Sequence, residues 1–122
     1  MESKKTITNE TSKIALRTQR GIKIIDFRDI TYCKADGRYT FIHLINGESI
    51  LISRLLKIFE NILPKEYFFR IHKSYLVNLD YIKEFKNSEN NILILENNIE
   101  LDIAIRRKAK FIGFLSEKIV LV

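Results

Sequence analysis

The chain has 122 residues, 46% hydrophobic and 30% charged, with one Pro and four Gly, which suits a single domain around one modest core and excludes a long flexible linker. Lys and Arg outnumber Asp and Glu by 21 to 15, a formal net charge of +6, and this excess favours an anionic partner, either nucleic acid or a membrane surface. The single Cys excludes an internal disulfide, no apolar run approaches the ~18 residues of a membrane span, and Met1-Glu2-Ser3-Lys4-Lys5 has no apolar stretch behind it, which excludes a secretory signal.

Residues 1–11 are polar and read as a disordered or loosely attached lead-in, either the remnant of a linker or a simple arm. The ordered domain then spans 12–122. Ile14, Leu16, Ile22, Ile24 and Phe27 alternate with polar residues, and Gly21 punctuates two short strands. Asp29 to Ala35 is a further strand with Thr31, Cys33 and Ala35 on one face, which makes Cys33 a small core residue. Asp36-Gly37 is a hairpin signal, with Arg38 at the edge of the turn and Tyr39 to Ile45 returning. Asn46-Gly47 predicts a second two-residue turn before a strand over Glu48 to Ile52, so the three strands form a meander.

Ser53 has the character of a helix N-cap. Leu55, Ile58, Phe59 and Ile62 follow at the spacing of an amphipathic helix that Pro64 ends. The stretch Phe68 to Asn78 is apolar at both ends and polar in the middle, at Arg70, His72, Lys73 and Ser74. Its ends are expected to anchor in a core and hold the polar centre at the surface as a recognition loop. Ile82 to Lys86 and Asn91 to Leu95 read as strands around a polar turn, and Asn97-Asn98 as another turn. Ile99, Leu101 and Ile103 alternate with Glu100 and Asp102. From Ala104 the period becomes helical, with Ile105, Ala109, Ile112 and Ile119 in one stripe and Phe111, Phe114 and Leu115 alongside.

Catalytic chemistry finds no support. His72 and Ser74 lie two apart, but no nucleophile elbow, Gly-rich oxyanion loop or carboxylate motif accompanies them. One Cys with His43 and His72 gives no metal-ligand spacing, and no Gly-rich phosphate loop is present. Neither a catalytic residue, a metal nor a cofactor is therefore expected. The basic residues at element junctions carry more information. Arg38 follows a hairpin tip, Lys73 lies in the central stretch, and Arg106, Arg107, Lys108 and Lys110 crowd the start of the last helix. Cations there oppose the helix dipole, while the free amides of a helix start bind anions. These residues form either a phosphate-binding point, with a long side chain able to reach a base edge, or a solvated patch paired with Glu100 or Asp102.

One family resemblance bears on that choice. Ile30-Thr31-Tyr32 with Ala35-Asp36-Gly37-Arg38-Tyr39, Ile52-Ser53-Arg54-Leu55-Leu56 leading to Phe59-Glu60, and above all Phe68-Phe69-Arg70-Ile71-His72-Lys73-Ser74-Tyr75-Leu76-Val77-Asn78 resemble the LytTR-type DNA-binding domain, the output module of many bacterial two-component response regulators. The resemblance covers roughly residues 14–115. It implies a mainly β fold (α+β by content): an elongated, multi-stranded antiparallel, sandwich-like module with two short helices that reads duplex DNA from loops. By the same resemblance Arg38, Lys73 and Arg106 match the base-contacting positions. Arg54, His72, Ser74 and Arg107 would lie near the DNA backbone. Ala104 departs from the small polar residue usual before Ile105-Arg106. The resemblance further implies a cytoplasmic transcription regulator, monomeric as an isolated domain, with two copies on tandem DNA sites and an upstream receiver domain or a histidine kinase as partner. Composition alone leaves open a basic β-rich RNA-binding or protein-interaction module.

Overall fold

The computed structural model describes residues 12–87 and 89–122; the lead-in expected over 1–11 lies outside the described residues. The first strands, β1 (Lys13–Thr18) and β2 (Gly21–Asp26), form an antiparallel ribbon. Their turn pairs Thr18 with Gly21, which sets Ile14 opposite Ile25 and Leu16 opposite Lys23. Leu16 and Ile25 are consequently buried, whereas Ile22 and Ile24 are 60% and 65% exposed. The apolar alternation holds for β1 but is out of phase in β2, because the turn and not the run of isoleucines decides which residues share the inner face.

A five-stranded antiparallel sheet follows. Its order is β5 (Ser49–Ile52), β4 (Tyr39–Leu44), β3 (Ile30–Asp36), β7 (Tyr75–Asn78), β6 (Phe68–His72). Ile30, Thr31, Tyr32 and Cys33 are consecutive buried residues, so β3 is covered on both faces. On one face Cys33, Ile42, Ile50, Ile52 and Leu76 pack beneath the β1–β2 ribbon and a helix, α1 (Leu56–Ile62). On the other, Tyr32, Ile71 and Val77 pack against a second antiparallel sheet and a closing helix. That sheet has the order β10 (Glu100–Asp102), β9 (Asn91–Leu95), β8 (Ile82–Asn87), and the helix is α2 (Lys108–Lys118). The expected mostly antiparallel, sandwich-like architecture with two helices is the one observed. Cys33 is fully enclosed, and burial pushes its thiol pKa far up, so it packs as a small apolar group.

Three local expectations change. Residues 45–48, not two residues, join β4 to β5: Gly47 at φ +93° donates to Leu44 O, and Leu44 N to Glu48 O. In α1 the cap position is Leu55, extended and without a side-chain cap, and not Ser53. Starting the helix at Leu56 turns Leu56, Phe59 and Leu63 inward and leaves Leu55, Ile58 and Ile62 partly in solvent. Similarly, a 3-10 turn over Ile105–Arg107 precedes α2. Ile105 therefore lies before the helix at 84% exposure, Ala109 and Ile119 are also exposed, and Phe111, Phe114 and Leu115 form the buried stripe. The positive φ of Asn97 and Asn98 bears out the turn expected there. Among the described residues no helix is long and apolar enough to cross a membrane.

Two predictions follow from this packing. Phe69 sits with its ring centroid 5.8 Å from Phe111 and 5.1 Å from Phe114, so it docks α2 onto β6. Phe69→Ala should cost about 3 kcal/mol, the low end of the range for a buried aromatic because its ring is only partly enclosed. Denaturant melts check the shift in midpoint. His43 stacks on Tyr32 at 4.3 Å, and burial, then the nearby Lys34 charge, lower its pKa below the ordinary value. Below pH ~6.5 the unfolded chain takes up a proton that the folded ring resists, so stability is full above that pH and declines as the pH falls. His43→Phe should flatten the loss between pH 7 and 5, measured by thermal melts across that range.

Candidate nucleic-acid interface

Strand register carries three separated segments to one end of the five-stranded sheet, and a main-chain hydrogen bond brings a fourth. Asp36 pairs with Tyr39, so Gly37 and Arg38 are themselves the turn. Gly37 takes φ +61°, the Gly-first pattern of a two-residue hairpin, and Arg38 lies within the turn and not at its edge. Since β7 runs antiparallel to β3 and begins at Tyr75 opposite Lys34, the Lys73-Ser74 turn lies at the same end. Ala35 N donates to Ser74 O at 2.9 Å and ties the two tips. Thr40 pairs with Ile52, so β5 also runs out here into Ser53-Arg54; the fully buried Thr40 hydroxyl donates to Arg54 O at 2.8 Å. The fourth segment is the junction before α2, where Ala104 N donates to Ile71 O at 2.9 Å. Ala104 needs only its backbone for this link.

The central stretch is a β-hairpin and not a loop. Phe68, Ile71, Leu76 and Val77 are buried and anchor it in both cores, as expected of its apolar residues. A register shift between Arg70 and His72 marks a bulge at Ile71, which re-aims the chain entering the tip. Arg70 braces that tip from below. Its Nη1 contacts Glu60 Oε1 at 2.7 Å, its Nε donates to His72 O at 2.9 Å, and its Nη2 donates to Lys73 O. With a side chain 16% exposed, Arg70 is a support for Lys73. Nothing in the sequence distinguishes it from its neighbours as such, since Glu60 lies on a different element.

The other cations at this end differ in how they are engaged. Arg38, Arg54, Lys73 and Arg106 are exposed, and among the described residues the ion pairs are Lys23–Glu48, Arg28–Asp26 and Arg70–Glu60. The pairing with Glu100 or Asp102 that would make the basic junction a solvated patch is absent among the described residues. α2 has no side-chain cap and no acid in its first turn. Arg107 differs from Arg106: it is half-buried, its Nη1 donates to Arg70 O at 3.3 Å, and its enclosed Nε has no partner among the described residues. Lys108 is occupied by Asn87 Oδ1 at 2.7 Å. His72 Nδ1 accepts the Ser74 amide at 3.1 Å, so the neutral ring carries its proton on Nε2 and offers a donor. The Ser74 hydroxyl makes no hydrogen bond among the described residues and can serve as a second donor.

Residues 20–116 match the profile of the LytTr DNA-binding domain. The chain belongs to that family. Its fold is similar to that of the LytTr DNA-binding domain of a putative methyl-accepting/DNA response regulator from Bacillus cereus, with a TM-score of 0.74 at 24% identity, covering 86% of this chain and 97% of that one. Among curated relatives it is 31% identical over 103 residues to the transcriptional regulatory protein YpdB of Escherichia coli strain K12, covering 84% of this chain and 42% of YpdB. It is 32% identical over 89 residues to the sensory transduction protein LytT of Bacillus subtilis, covering 70% of this chain and 36% of LytT. The chain thus spans less than half the length of these relatives. This LytTr domain is a DNA-binding module, and Arg38, Arg54, Lys73 and Arg106 lie in the four segments that meet at one end of the sheet.

The brace beneath Lys73 yields a prediction. Arg70→Ala removes two donors to the tip and the ion pair with Glu60 and should cost about 1–3 kcal/mol of stability. It should also weaken duplex binding beyond what partial unfolding explains. Glu60→Gln, which keeps the shape but not the charge, should do the same to a smaller degree. Melts paired with DNA titrations at a temperature where both variants are folded provide the check; unchanged affinity in both would mean that the tip does not need its brace.

Proposed function

We propose that this end of the LytTr domain docks on duplex DNA and reads its sequence, as the DNA-binding part of a cytoplasmic transcription regulator. Arg38, Lys73 and Arg106 are assigned to base edges, and Arg54, His72, Ser74 and Arg107 to the phosphate backbone. The observation that carries this reading is the convergence of four segments that each present an exposed or donor-bearing side chain while their own backbones are hydrogen-bonded. Rigid backbones with free cationic ends are what positioning on phosphates and reaching into a groove require. Arg107, held at Nη1, would meet phosphate through its other amino group. Residues 12–122 act as the module, a monomer in isolation. In a response regulator it would be the output of an upstream receiver domain, or answer to a histidine kinase, with two copies on tandem sites.

A second reading has one observation in its favour. Register places Tyr75, Lys34, Phe41 and Leu51 in a row across β7, β3, β4 and β5. Tyr39 is 47% and Leu51 48% exposed, and Phe41 and Tyr75 are half-exposed. An open sheet face with aromatics around a cation is a surface on which unpaired bases of RNA stack. Selection from random duplex DNA, with a random RNA pool in parallel, decides between the readings.

Within the DNA reading, Arg38→Ala or Lys73→Ala should weaken the selected site by ~1–3 kcal/mol for each base interaction removed, while random DNA loses much less. Arg106→Ala should leave the melt unchanged and flatten preference at one cluster of base pairs. Arg107→Ala should weaken all sequences alike and lower the salt slope by ~1. Competition assays on selected and random duplexes measure each effect. An Arg106→Ala profile identical to the wild type would remove its base-reading role.

A further inference from the structure

The β1–β2 tip is a cationic surface outside the four segments just described. Arg17 lies opposite Ile22 on the outer face of the ribbon, and Arg20 lies in its turn. Both are exposed, and neither enters an ion pair among the described residues. The turn has a defined shape: the Thr18 hydroxyl accepts from Arg20 N at 3.1 Å and lies 3.4 Å from Gly21 O, to which it donates. Arg17 and Arg20 form one wall of an open groove whose opposite wall includes Tyr39, Leu51 and Ser53. Arg17 also lines a second open groove together with Ser53 and Arg54, which sets it beside one of the assigned DNA-contacting residues, and Tyr39 of the first groove immediately follows Arg38. Glu48, the acid on this groove, is already neutralised by Lys23 at 2.8 Å. The family match begins at residue 20, so Arg17 lies ahead of it.

We propose that Arg17 and Arg20 form a backbone clamp that grips DNA phosphates next to those met by Arg54 and flanking the base pairs read by Arg38. The inference rests on the DNA reading above and extends it to a segment that reading leaves unused. A guanidinium matches a phosphate with two parallel hydrogen bonds. The ribbon covers one face of the sheet and is separate from the turns that carry Arg38 and Lys73, so its arginines meet the backbone and add affinity without adding sequence preference.

The test uses the full chain, the duplex obtained by random-pool selection, and the double variant Arg17→Ala/Arg20→Ala. Because the variant leaves two phosphates without a guanidinium, the slope of log affinity against log salt should become shallower by about 1.8. The selected sequence and the melting midpoint should stay as in the wild type. Phosphate-ethylation interference should disappear at positions flanking the Arg38-dependent base pairs and persist elsewhere. Arg17→Lys/Arg20→Lys should restore most of the slope, because charge governs it. An unchanged slope, or interference unaltered at every phosphate, overturns the clamp while leaving duplex binding in place. A changed sequence preference overturns its backbone assignment. Failure of the wild-type chain to bind any duplex overturns both this inference and the DNA reading beneath it.

Discussion

Strand β3 has no solvent face along its first half, and the rest of the molecule is arranged to satisfy that constraint. Two separate groups of side chains must be brought to it, one beneath the ribbon and α1, the other beneath the second sheet and α2. Polar groups caught between these layers need partners of their own, since an unmet buried donor or acceptor costs about 1–3 kcal/mol. The Thr31 hydroxyl donates to His43 O at 3.0 Å, and Asn78 Nδ2 donates to Ile30 O at 2.9 Å. Asn78 then uses its Oδ1 to accept from Asp80 N and start the turn into β8. A single buried amide thus joins the central strand to the point where the chain leaves for the second layer.

The same constraint explains how cations can be gathered at one end. Crowded like charges repel, and those at the start of α2 also oppose its dipole. Free loops would relieve the strain by moving apart. Here each segment is tied to a neighbour, Ala35 to Ser74 and Ala104 to Ile71 by main-chain bonds and Arg54 through the Thr40 hydroxyl, and these strands are in turn held by the cores on either side of β3. The unfavourable electrostatics are borne by the hydrophobic layers and relieved when an anion arrives.

Much of this was legible in the sequence where the signal was local. Asn97-Asn98 and the Gly37 turn follow from residues that tolerate positive φ, and the apolar anchors Phe68, Leu76 and Val77 follow from their contrast with the polar residues between them. Faces were harder. Ile22 and Ile24 in β2, and Leu55, Ile58 and Ile62 around α1, are as apolar as the residues that are buried, so composition could not choose among them. The choice belongs to the turn that sets the β1–β2 register and to the residue at which each helix begins. The family resemblance supplied candidate DNA-facing residues, but the brace of Arg70 on Glu60 joins elements whose proximity exists only once the sheet and α1 have packed. The groove beside Arg17 and Arg20 is of the same kind, a product of tertiary placement with no linear signature.

The rings of Phe41, His43, Tyr32, Tyr75 and His72 run in sequence across β4, β3, β7 and β6, with neighbouring centroids between 4.3 and 6.4 Å apart. The chain contains no Trp and five Tyr, so its near-ultraviolet emission is tyrosine emission, free of the usual indole background. Tyr75 lies one residue beyond the Lys73-Ser74 turn and 5.4 Å from the His72 ring, so the domain carries an intrinsic optical reporter beside the surface proposed to meet DNA, one that requires no added label.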